Sequence, residues 1–77
     1  MDLTKQAAEG FESYTTKAAN PYLGSSPSDI AFNLGFWLAL TSRSAPRNVT
    51  MSRGYTIRAN DMLMKWNGAG PDFERIN

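Results

Sequence analysis

Residues 25–40, SSPSDIAFNLGFWLAL, determine how the rest of this 77-residue chain can fold. Ser26 is a suitable N-cap and Pro27 fits the first turn of a helix. Asp29 follows where its carboxylate faces the positive end of the helix dipole. The body of the stretch is apolar on nearly every side, which is typical of a helix buried among other elements. We therefore predict a helix over residues 27–40 and place it at the centre of the fold.

An earlier helix is predicted over residues 3–19, because apolar side chains recur there at spacings of three and four residues. Asp2 or Thr4 can cap its start. Asn20-Pro21 ends it, since the residue before a proline is driven out of the helical conformation. Gly10 lies beside the apolar stripe, where a glycine costs about 1 kcal/mol relative to alanine. We expect this glycine to allow another backbone to approach closely.

The stretch VTMSRGYTIRANDMLMKWNGAGP, residues 49–71, fits two kinds of structure. Apolar side chains alternate along parts of it, as they do in β-strands. Four of them also form a helical stripe: Tyr55, Ala59, Met62 and Trp66. Good helix formers occupy positions 58–65, and Gly68 can close a helix end. We predict a third helix over residues 56–67 and hence an all-α fold. The rival interpretation is an α+β fold with a C-terminal β-hairpin.

The chain is expected to form a single small domain over residues 1–77. Residues 41–48 are predicted to be a surface link, and residues 70–77 a loose tail. The longest apolar run is far shorter than the ~20 residues that span a bilayer. The start of the chain lacks the basic and apolar regions of a signal peptide. We therefore expect a cytoplasmic protein with no membrane partner.

The composition argues against catalysis. The chain has no cysteine and no histidine, so thiolate metal sites, disulfides and the commonest general base are all missing. The carboxylates are scattered, and no nucleophile has a base near it in the sequence. We expect a protein that is not an enzyme, has no cofactor or metal, and takes no small-molecule substrate.

The net charge of +1 hides an uneven distribution. Residues 1–40 have two basic and four acidic side chains, whereas residues 41–77 have six basic and three acidic ones. Arginine dominates the second half, and its planar fork suits phosphate or carboxylate. Trp66 is added as an aromatic anchor for a partner. The candidate residues for binding nucleic acid or a partner are Arg43, Arg47, Arg53, Arg58, Lys65 and Trp66.

Three short motifs within residues 7–40 resemble a pattern of ribosome modulation factor and related small proteins of phages and mobile elements. They are a Gly-aromatic pair, an Asn-Pro-Tyr turn and an aromatic-x-x-Gly-aromatic helix. The matching residues are Gly10, Phe11, Asn20, Pro21, Tyr22, Phe32, Gly35 and Phe36. The resemblance implies a helical hairpin in which Pro21 fixes the reversal, Tyr22 packs between the helices, and the two glycines let them approach.

The resemblance also implies a function. It points to a small non-enzymatic protein, encoded by a phage or mobile element, that acts on RNA, the ribosome or another nucleic-acid-containing host complex. One alternative is a protein–protein inhibitor of a host complex, of the anti-defence or anti-CRISPR type, docking through Trp, Met and Arg side chains. A homodimer would also cover such a surface.

The third hypothesis is a DNA-binding helix-turn-helix. The letters SDIAFNLGF, residues 28–36, resemble the start of that motif in the arabinose-regulator family of activators. The residues after them are Trp37-Leu38-Ala39-Leu40, where base recognition requires polar side chains that face the solvent.

Overall fold

The computed structural model describes all 77 residues and places two helices and a four-stranded antiparallel sheet around one core. The helices are α1, Thr4–Thr16, and α2, Pro27–Leu40; the strands are β1, Thr50–Arg53, β2, Thr56–Ala59, β3, Met62–Trp66, and β4, Phe73–Arg75. The strands pair in chain order, β1-β2-β3-β4. The predicted all-α fold is therefore wrong, and the rival α+β fold is correct.

Residues 56–67, which we predicted to be a third helix, form the hairpin of β2 and β3. The two turn residues, Asn60 and Asp61, have φ angles of 52° and 64°. Two consecutive positive φ angles are characteristic of the type I′ turn, whose twist matches that of the flanking strands. Alternation then buries five apolar side chains on one face of the hairpin, one more than the helical stripe contains. They are Ile57, Ala59, Met62, Met64 and Trp66.

The two helices cross with their backbones in contact. A Cβ atom at Gly10 would lie 1.8 Å from the carbonyl oxygen of Phe32, and one at Gly35 would lie 1.7 Å from that of Ala7. The expectation that both glycines permit close approach is confirmed. Helix α2 runs unbroken through Gly35, so the turn of a helix-turn-helix is absent and that hypothesis is wrong.

The helix ends follow local chemistry. Helix α2 has the predicted bounds, and the Ser26 hydroxyl accepts a hydrogen bond from the Asp29 amide at 3.1 Å. Helix α1 ends three residues earlier than predicted, where Lys17 adopts a left-handed φ of 64°. At its start, Asp2 Oδ1 accepts hydrogen bonds from the Thr4 amide at 2.9 Å and the Thr4 hydroxyl at 2.6 Å. Both hydrogen bonds lower the pKa of Asp2 below its ordinary value of 3.8, and the bond from the Thr4 hydroxyl has the larger effect.

The Asn-Pro-Tyr segment is fixed by two carboxylates. The buried Asp29 side chain accepts from the Asn20 amide group at 2.6 Å and from the Ser25 backbone N–H at 2.8 Å. The Tyr22 hydroxyl donates to the Glu9 carboxylate, and this hydrogen bond raises the pKa of Tyr22 above 10.0. These contacts hold the loop between the helices in place.

The N-terminus joins the helical half to the sheet. The Leu3 amide donates to the Val49 carbonyl at 2.8 Å, and the Val49 amide donates to the Thr4 hydroxyl at 3.0 Å. Side chains from both helices and from the inner face of the sheet then share one core. Its buried members are Leu3, Ala7, Ile30, Ala31, Leu34, Leu38, Val49, Ile57, Ala59, Met62, Met64, Trp66 and Phe73.

The predicted loose tail over residues 70–77 is wrong, because β4 completes the sheet there. Phe73 is buried opposite Trp66, whose indole N–H donates to the Gly70 carbonyl at 2.7 Å. The Ile76 amide donates to the Leu63 carbonyl at 2.9 Å. Residues 41–48 connect α2 to β1 without helix or strand. Neither helix has the length and hydropathy needed to cross a membrane.

Candidate functional site

A polar pocket of about 420 Å³ opens between the 41–48 link, the β2–β3 turn and β4. Three arginines and one carboxylate line it, so the pocket is basic. We call it the arginine pocket. Its lining residues are Ser42, Arg43, Ser44, Arg47, Asn60, Asp61, Met62 and Arg75.

Asn60 positions the link that carries two of the arginines. Its side-chain amide donates to the carbonyls of Ser44 at 3.2 Å and Ala45 at 3.1 Å. Its Oδ1 accepts from the Arg47 amide at 2.6 Å, and its own backbone N–H donates to the Arg47 carbonyl at 3.1 Å. These bonds hold the link against the type I′ turn. Asparagine tolerates the positive φ angle of that turn better than most residues do. The same residue builds the turn and orders the pocket.

Arg43 is held by neutral groups. Its Cζ lies 5.2 Å from the centre of the Trp37 ring, within the range of a cation–π contact. Its Nη1 donates to the Met62 sulfur at 3.6 Å, and a thioether is a weak acceptor. The guanidinium is therefore oriented while its positive charge stays available to a ligand.

Arg47 and Arg75 complete the basic wall. Both side chains are exposed, and neither guanidinium donates a hydrogen bond to another group of the chain. Arg75 lies opposite Met64 on the β3–β4 ladder, at the edge of the sheet's inner face. Guanidinium groups donate two parallel hydrogen bonds to phosphate or carboxylate. The pocket can therefore bind an anion with several oxygens.

Three other candidate residues lie on the outer face of the sheet. Arg58 pairs with Leu63 and Lys65 pairs with Glu74, and both basic side chains are exposed. Arg53 pairs with Thr56 after a β-bulge. The structure thus brings Arg43 and Arg47 together in the pocket and places the remaining three basic candidates on a separate surface.

Trp66 is a core residue. It is 3% exposed and packs edge-on against Tyr55 at a centroid distance of 5.1 Å. Met62 and Met64 are buried beside it. The prediction that Trp66 anchors a partner needs correction, because the hairpin directs its side chain into the core.

Sequence reasoning missed Arg75, which was assigned to the loose tail. Residues 73–76 read apolar-polar-polar-apolar and have no alternation typical of a strand, so the place of Arg75 depends on the pairing of β4 with β3. No group of three or more Asp, Glu, Cys or His side chains is placed to hold a metal ion.

Comparison of the chain with models of protein families, with curated proteins and with solved structures finds no match in any of the three.

Replacing Asn60 with glycine is expected to loosen the pocket without breaking the hairpin. Glycine keeps the positive φ but removes three side-chain hydrogen bonds. We expect the free energy of unfolding to fall by about 1–2 kcal/mol in urea denaturation. Asp61→Gly is the matched control, since it lies at the next turn position and its side chain makes none of these bonds. Equal losses in the two variants would show that Asn60 acts through the turn alone.

Proposed function

We propose that the protein is a small, non-enzymatic cytoplasmic protein that binds RNA, alone or in a host complex such as the ribosome, through the arginine pocket. The observation that carries this proposal is the convergence of Arg43, Arg47 and Arg75 around one polar concavity. Three guanidinium groups beside the single carboxylate of Asp61 leave the pocket with an excess of positive charge, which a bound anion would offset. A phosphate backbone supplies that anion.

The choice of phosphate over a protein carboxylate is supported by the rest of the surface. Arg58 and Lys65 add basic side chains on the outer face of the sheet, and a nucleic acid offers phosphates at regular intervals to both surfaces. The protein–protein inhibitor hypothesis needs an exposed Trp and Met surface, but Trp66, Met62 and Met64 are buried. The observations therefore favour a polyanion.

The resemblance of residues 7–40 to ribosome modulation factor supports RNA as the first ligand to test. The residues that carry it, such as Gly10 and Gly35, form the helix crossing. The basic side chains of the arginine pocket all lie in the second half of the chain.

The test is the affinity for a fluorescently labelled single-stranded RNA at several salt concentrations, measured by fluorescence anisotropy. If about four phosphates are contacted, affinity should fall about 50-fold between about 50 and 200 mM salt. RNA that stays unbound at the lowest salt, or an affinity that does not change with salt, would overturn the proposal.

A further inference from the structure

A second cavity adjoins the arginine pocket and differs from it in chemistry. It has a volume of about 380 Å³ and is bounded by the ends of α1 and α2. Phe11 and Tyr14 give it aromatic walls, while Ser42 and Arg43 line both cavities. We call it the aromatic groove. The basic, anion-binding pocket and the aromatic groove therefore meet at Arg43.

The aromatic groove has a flat ring within reach of solvent. Tyr14 is 39% exposed, and its ring packs edge-on against Phe36 with a centroid distance of 5.5 Å. This contact orients Tyr14 while part of its surface remains uncovered. Nucleic-acid bases stack on such rings with little dependence on sequence.

Two polar side chains line the aromatic groove beside its rings. Glu12 and Thr15 both line it and are exposed, and the Thr15 hydroxyl donates to the Glu12 backbone carbonyl at 3.1 Å. The Glu12 carboxylate accepts hydrogen bonds, as from the amino group of cytosine. A carboxylate that entered the groove would be repelled by Glu12, whereas a base is uncharged and its phosphate can stay in the arginine pocket. Charge complementarity thus favours a nucleotide.

We propose that the aromatic groove holds one unstacked base of a single-stranded nucleic acid whose adjacent phosphate lies in the arginine pocket. This inference rests on the proposed function. It adds that the nucleic acid is single-stranded and that one of its bases binds in the aromatic groove. Arg43 lies at the junction, held over Trp37, so that its guanidinium can reach the phosphate while a base occupies the groove.

The test compares two labelled oligonucleotides of equal length, one of cytidines and one abasic, on the wild type and on Tyr14→Ala. Loss of one stacking platform should weaken binding of the cytidine strand about tenfold and leave binding of the abasic strand unchanged. Tyr55→Ala is the matched control. Its tyrosine is 44% exposed and lies in the β1–β2 turn, at the other end of β2 from the arginine pocket.

The outcomes separate this inference from the proposed function. If the wild type binds the abasic strand as tightly as the cytidine strand, the inference is overturned and the proposed function stands. If neither strand binds at low salt, both are overturned. Should Tyr14→Ala lose its fold by circular dichroism, Glu12→Ala decides the matter instead. Because the Glu12 carboxylate can accept from the amino group of cytosine, the wild type should bind a cytidine strand more tightly than a uridine strand, and Glu12→Ala should reduce that difference. An unchanged difference would overturn the inference.

Discussion

Replacing Gly35 with alanine is expected to lower the free energy of unfolding by about 3 kcal/mol, the upper end of the usual cost of overpacking, or to unfold the protein. The added Cβ would lie 1.7 Å from the Ala7 carbonyl oxygen and 2.7 Å from the Phe11 amide nitrogen. Both obstacles are backbone atoms, so no side chain can rotate away and the helices must separate. In a helix without such a contact, alanine in place of glycine would raise the stability by about 1 kcal/mol. A loss of stability would therefore show that the two helix backbones touch at Gly35.

The measurement is urea denaturation followed by circular dichroism, with Gly24→Ala as the control. Gly24 has open space around its α-carbon, and alanine there should be close to neutral. Gly10→Ala should behave like Gly35→Ala, because its Cβ would meet the Phe32 carbonyl oxygen at 1.8 Å. A Gly35→Ala variant as stable as the wild type would show that the helices do not cross at this point.

Reversing the charges of Arg47 and Arg75 together is expected to weaken RNA binding on the order of 100-fold at low salt. Each loses a charged hydrogen bond of about 1.5 kcal/mol, and two such losses multiply to roughly that factor. Both side chains are exposed and lie outside the core, so Arg47→Glu/Arg75→Glu should fold normally. Anisotropy with the labelled single-stranded RNA gives the affinity, and circular dichroism checks the fold.

The control for this double variant is Lys5→Glu/Lys17→Glu, which changes the net charge equally on two exposed lysines of the helical half. It should reduce affinity by a few-fold at most, because these positions are not part of the pocket. Equal losses in the two double variants would mean that binding depends on total charge and not on the arginine pocket.

Local signals explain why the helical half was predictable. The bounds of α2 depend on Ser26, Pro27 and Asp29, which act within one turn of the helix start. The end of α1 was predicted three residues too late because Lys17 adopts a left-handed backbone conformation. Lysine does not favour this conformation, so the sequence gives no sign of it.

The sheet was missed because its decisive residues support two periods at once. Tyr55, Ala59, Met62 and Trp66 are spaced for a helix, whereas the alternating set has five members but is interrupted by the Asn60-Asp61 turn. The alternating side chains on both sides of the Asn60-Asp61 turn are buried, and this burial favours the strands over a helix. It is possible only because the two helices cover that face of the sheet. A tertiary contact of this kind has no local signature.

The site was only partly predictable for the same reason. Arg43 and Arg47 were identified from charge, but their association with Arg75 depends on β4 closing the sheet. Charge counting also grouped Arg58 and Lys65 with them, although the strand pairing places those two on the outer face. Charge counting pointed to the second half for the proposed binding site, and the fold divides the basic side chains of that half between two surfaces.

The central claim is that the arginines of the pocket contact phosphates, and the salt dependence of Arg47→Ala tests it most directly. For single strands, each phosphate contact contributes about 0.7 to the slope of log affinity against log salt. We predict that the slope of Arg47→Ala is shallower than that of the wild type by about 0.7, with Lys5→Ala unchanged. A slope identical to that of the wild type would contradict the account, because Arg47 would then touch no phosphate.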